Sequence, residues 1–71
     1  MLNLMTPQTY YYTKDQLLKV LHEWQVTEEA PKRGHKLVIA FPPGRTWKVA
    51  TITLSKMKST YGKPLYQMEC A

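Results

Sequence analysis

The side chains able to carry nucleophilic or metal chemistry in this sequence are few: one cysteine, Cys70, and two histidines, His22 and His35. Nucleophilic catalysis needs a nucleophile, a base within reach of it and a group that orients the base. No motif links either histidine to Cys70, which stands beside the last residue, where a fixed geometry is hard to keep. A semi-buried or exposed, unactivated thiol is the expectation there. Asp15 falls in the first turn of an expected helix, where a carboxylate suits the positive end of the helix dipole, and no paired-carboxylate site is in view. Structural zinc takes four ligands from closely spaced Cys and His pairs, whereas His22, His35 and Cys70 lie at unrelated positions. Pro42-Pro43-Gly44-Arg45 has a single glycine and lacks the GK[ST] ending of a phosphate loop. These residues predict a protein that is not an enzyme and carries no metal and no cofactor.

Binding is the chemistry the sequence favours. Ten Lys and Arg stand against five Asp and Glu, giving a net charge of +5 and an isoelectric point near 9.5, so a negatively charged partner is expected. Lys32, Arg33, His35 and Lys36 form one cluster; Arg45 and Lys48 flank a turn; Lys56, Lys58 and Lys63 form another cluster. In a β-meander the first and last of these groups can fall at the same end of the sheet and make one patch. The alternative is a surface that merely keeps the protein soluble.

Aromatic residues are the second signal. Three consecutive tyrosines, Tyr10-Tyr11-Tyr12, cannot all face one core in a helix or a strand. Tyr10 or Tyr11 is therefore a candidate to stack on a base or fill a pocket on a protein partner. The same segment could instead lie over the sheet and complete a thin core. Trp47 is equally open to two readings, as an anchor on an exposed sheet face or as core.

The elements that would position these residues are legible in part. Thr13-Lys14-Asp15-Gln16 reads as a capping box, with Tyr12 and Leu17 at the hydrophobic-staple positions. Leu17, Val20, Leu21 and Trp24 then recur at helical spacing, predicting a helix over residues 13–25. Residues 27–35 hold a proline and a glycine among charges and read as loop. Strands are predicted over 36–41, 47–54 and 64–70, with Ala50, Ile52 and Leu54 on one face of the second and Trp47, Val49, Thr51 and Thr53 on the other. In the third, Leu65 and Gln67 face opposite to Tyr66 and Met68. Residues 55–63 read as an exposed basic turn with a mobile tip. The expected fold is α+β, one N-terminal helix packed on a three-stranded antiparallel β-meander.

At 71 residues the chain predicts a single domain over 1–71, with 1–9 flexible, and no deep pocket for a small-molecule substrate. An apolar content of 44% with five Tyr and two Trp is too rich for intrinsic disorder. A lone cysteine, no run of membrane-span length and no signal-like start predict a cytoplasmic protein that does not enter a membrane.

The helix followed by three strands resembles the first part of double-stranded RNA-binding domains. The second helix and its lysine-rich start have no counterpart in this sequence, so that activity does not carry over. In size, charge and lack of catalytic parts the chain resembles, as a general type and without a shared motif, small bacteriophage regulators that bind host machinery such as RNA polymerase. The resemblance implies a non-enzymatic regulator with a protein partner, RNA polymerase or an associated factor, that modulates transcription. Direct binding of DNA or RNA through basic loops and sheet aromatics is the alternative.

Overall fold

The computed structural model describes residues 7–44 and 46–71. It is α+β: strand β1 (Gln8–Tyr12), helix α1 (Lys14–Glu23), then strands β2 (Lys36–Ala40), β3 (Val49–Lys58) and β4 (Pro64–Cys70). The four strands form one antiparallel sheet in the order β1-β4-β3-β2. The meander of β2, β3 and β4 is present as expected, but the sheet has a fourth strand that the sequence reading missed. Gln8-Thr9-Tyr10-Tyr11-Tyr12 is rich in strand-forming residues. Its partner, however, is the far end of the chain, with Gln8 opposite Cys70 and Tyr12 opposite Tyr66. No local spacing announces that pairing. Of the segment expected to be flexible, Gln8 and Thr9 belong to β1, and residues 1–6 lie outside those described.

The helix begins where its capping box puts it. Thr13 is the N-cap; its backbone N–H donates to Gln16 Oε1 at 3.0 Å, and the Gln16 N–H donates to Thr13 Oγ1 at 3.4 Å. Leu17 and Leu21, one turn apart, are fully buried against the sheet. Burying such a leucine stabilises the fold by about 1.5–3 kcal/mol. The helix stops at Glu23, with Gln25 in the left-handed region at φ 59°. Trp24 then meets the Phe41 ring edge-on at 5.0 Å, fastening the helix end to the exit of β2.

Strand alternation divides the sheet into two faces. On the helix side, Ala50, Ile52, Tyr66, Met68 and Cys70 join Leu17 and Leu21 as the buried core. Register adds Tyr10 and Tyr12 from β1 and Leu37 and Ile39 from β2 to that side. Thr9, Tyr11, Val38, Thr51, Thr53, Gln67 and Glu69 form the other, uncovered face. The expected alternation of β4 and of Val49, Thr51 and Thr53 therefore holds. Trp47 departs from it: it precedes β3, is half-buried and packs against the core. β3 also runs on to Lys58, beyond the expected strand end at residue 54, so the expected turn over 55–63 shrinks to residues 59–63.

Candidate nucleic-acid interface

The path of the chain collects charge at one end of the sheet. β1 ends there, and α1 starts there at Lys14. The helix runs to the opposite end, where Trp24 meets Phe41, and residues 25–35 return so that β2 begins at Lys36 opposite Thr53. β3 continues five residues beyond that partner, to Lys58, and turns into β4 at Pro64. Lys14, Lys32, Arg33, Lys36, Lys56, Lys58 and Lys63, seven of the chain's ten Lys and Arg, thus lie at or beyond this end. Three carboxylates, Asp15, Glu28 and Glu29, accompany them. The excess of cations is therefore local as well as global.

Two shallow concavities run along this end. Lys14 lines both, one with Thr13, Asp15, Lys63, Pro64 and Tyr66, the other with Leu18, Glu29, Pro31, Lys32, Leu54 and Tyr66. Lys14 therefore bridges the loop cluster and the hairpin cluster, which the sequence shows as separate groups. Lys58 lies opposite Pro64, two residues along β4 from the buried Tyr66, which puts it on the helix side of the sheet. The register between Leu54 and Lys58 is interrupted by a bulge. Ser55 fills it: its hydroxyl donates to the Leu65 carbonyl at 2.7 Å and accepts from the Met57 N–H at 3.1 Å. Bulges of this kind sharpen strand twist and redirect side chains.

The β3–β4 turn is closed by its own hydrogen bonds, where the sequence predicts a mobile tip. The Ser59 N–H donates to the Lys63 carbonyl at 2.8 Å, and the Gly62 N–H to the Ser59 carbonyl at 2.9 Å. Ser59 Oγ also accepts from the N–H groups of Tyr61 and Lys63, at 3.3 and 3.1 Å. Gly62 turns the chain at φ +80°, a conformation natural to glycine. Tyr61 stands on this turn 89% exposed.

The aromatic candidates separate. Tyr10 is on the helix side of β1, opposite Met68, and stacks on Tyr12 with ring centroids 6.3 Å apart. Tyr11 is on the uncovered face, opposite Gln67, and 43% exposed. Trp47 lies at the far end of the sheet, where it lines a hollow with Trp24 and Phe41. Arg45 lies outside the described residues. Of the residues singled out from sequence, Lys32, Arg33, Lys36, Lys56, Lys58 and Lys63 come to one end; Tyr10, Tyr11 and Trp47 do not join them. Sequence reasoning missed Lys14 and Tyr61. The signal for Tyr61 was available, as an aromatic residue followed by glycine inside a basic turn.

Cys70 also departs from expectation. It is 1% exposed, in the core between Gln8 and Ala50 on the two neighbouring strands. Burial raises its thiol pKa above the ordinary 9.0, the opposite of activation. Ala71 locks this end by exchanging backbone hydrogen bonds with Val49 and accepting one from Lys48. His22 and His35 are both exposed and on different segments. Among the described residues no group of three or more His, Cys, Asp or Glu could hold a metal ion. Nor is any helix among them long and apolar enough to cross a membrane.

No protein family, curated protein or solved structure matches this chain in comparison.

Proposed function

We propose that this chain is a non-enzymatic binding module that contacts nucleic acid through the basic end of its sheet. The observation that carries the reading is the convergence of seven cations from four separate segments on one end of the fold. Lysines so arranged neutralise phosphates and release counterions, which supplies affinity without sequence specificity. Arg33 is the one arginine in the cluster, so bidentate reading of bases, the usual task of arginine, is a minor component.

The test is fluorescence anisotropy with labelled DNA and RNA between 50 and 200 mM salt. Affinity is expected to fall linearly on a log–log plot, with a slope of about −0.9 per phosphate contacted on duplex and about −0.7 on single strands. Lys14→Glu, Lys58→Glu and Lys63→Glu together should abolish binding, while Lys19→Glu, in the middle of the helix, should not. Absence of binding at 50 mM salt to every nucleic acid overturns the proposal.

A second reading, docking on a nucleic-acid-processing machine such as RNA polymerase, is favoured by Tyr11, an exposed aromatic on the uncovered face of an edge strand. Exposed tyrosines are frequent hot spots of protein interfaces. Direct titration with purified RNA polymerase tests it: Tyr11→Ala should weaken complex formation at least tenfold, and no complex at micromolar concentrations rejects it.

A further inference from the structure

Tyr61 belongs neither to the buried core nor to the partly buried residues packed against it. Among the described residues, its 89% exposure far exceeds that of the next most exposed large apolar residues, Val38 and Met57, at 52% and 51%. An aromatic ring left in water in so small a domain, on the turn that joins β3 to β4, needs another explanation. The turn beneath it is ordered by four hydrogen bonds centred on Ser59. The ring is therefore presented from a preorganised support, and little ordering entropy remains to be lost when it meets a ligand. Lys58 and Lys63 flank it in the chain, and the Lys14 concavity begins at Lys63.

A flat ring between cations matches one chemistry closely, an unpaired base with its neighbouring phosphates. Every base offers a π-face, and stacking on an exposed aromatic is the common device by which proteins hold single strands. In a duplex the faces are already stacked on each other, and exposing one means breaking that stacking and the pairing. We infer that the hairpin tip binds single-stranded nucleic acid, with a base stacked on Tyr61 and its phosphates on Lys58 and Lys63. This inference rests on the basic-end reading above and adds to it the class of ligand and the residue that selects it.

The experiment compares the wild-type chain, Tyr61→Ala and Tyr61→Phe against four probes: a 12-nucleotide single-stranded DNA, the same sequence as RNA, its DNA duplex, and heparin, a polyanion without bases. Wild type should prefer the single strands over the duplex. Tyr61→Ala should weaken single-strand binding by about tenfold or more, with duplex and heparin affinity, salt slope and melting temperature unchanged. Tyr61→Phe, which keeps the ring, should bind like wild type. If Tyr61→Ala binds single strands as wild type does, or loses duplex and heparin binding equally, stacking is overturned while the basic-end reading stands. If no probe binds wild type, both fall together.

Discussion

Replacing Cys70 by serine is the sharpest test of where this residue sits. The substitution is nearly isosteric, and for an exposed thiol it would be silent. Cys70 is instead 1% exposed, in the apolar core beside Met68 and Ile52, and a hydroxyl placed there without a partner costs about 1–3 kcal/mol. Cys70→Ala removes only the sulfur, a loss near the ~0.8 kcal/mol of one buried methylene. Serine is thus expected to be worse than alanine, although it resembles cysteine more closely in shape. A domain of this size holds about 4–10 kcal/mol in total, so a 2 kcal/mol loss lowers the melting temperature by roughly 8–16 °C. Circular dichroism melts of the three proteins give the order directly. Labelling with an aromatic disulfide reagent gives a second reading, since the native thiol should react only as the fold opens. A serine variant within about 0.5 kcal/mol of wild type, a threshold typical of neutral surface sites, refutes the placement, as does a native thiol that labels as fast as in urea.

Three further outcomes follow from particular contacts. Thr13→Ala removes the acceptor for the Gln16 N–H and should cost about 1 kcal/mol, measured by urea denaturation; no change in midpoint would mean the cap carries nothing. Tyr10→Ala should destabilise more than Tyr11→Ala, because Tyr10, on the helix side across from Met68, stacks on Tyr12, while Tyr11, on the uncovered face across from Gln67, has no such ring partner, the two being similarly exposed at 38% and 43%; the expected loss at Tyr10 is about 1 kcal/mol, and the reverse order in matched melts rejects the assigned faces of β1. The part of the stability carried by the protons of Cys70 and Tyr12 should be level well below pH 9 and decline at alkaline pH. Burial raises the Cys70 thiol above its ordinary 9.0, and burial first, then Tyr10 and Cys70, raise Tyr12 above 10.0. The native state holds these protons more tightly than the unfolded chain, so their stabilisation is complete below the unfolded pKa values and disappears as pH rises through the folded ones. Cys70→Ala should flatten the decline in denaturation midpoints from pH 8 to 11, and an unchanged profile counts against the thiol's share.

Local signals carried the sequence a considerable way. Thr13 and Gln16 specify the helix start because both arms of a capping box lie within three residues of each other. Alternation alone separated Ala50, Ile52 and Leu54 from Val49, Thr51 and Thr53 in one strand, and Tyr66 and Met68 from Leu65 and Gln67 in another, since a strand's side chains change face at every residue; the register decided which of these sets share a face. The basic composition and the clusters of Lys32–Lys36 and Lys56–Lys63 are sequence facts as well. What the sequence could not supply is whatever depends on which distant segments meet. β1 is a strand because Tyr10 and Tyr12 find Met68 and Tyr66 at the other end of the chain, and no periodicity within five residues encodes that register. The same pairing, with β3 on the other side, turns Cys70 from a residue near a chain end into the middle of a core. Trp47 leaves the face that alternation gave it because β3 starts two residues later, at Val49, and its ring packs into the hollow with Trp24 and Phe41. Lys14 joins Lys32 and Lys63 only because the helix starts at the end of the sheet to which the 25–35 segment returns. The sequence holds the charges and the aromatic rings; the crossing of the chain from one sheet edge to the other decides which of them share a surface.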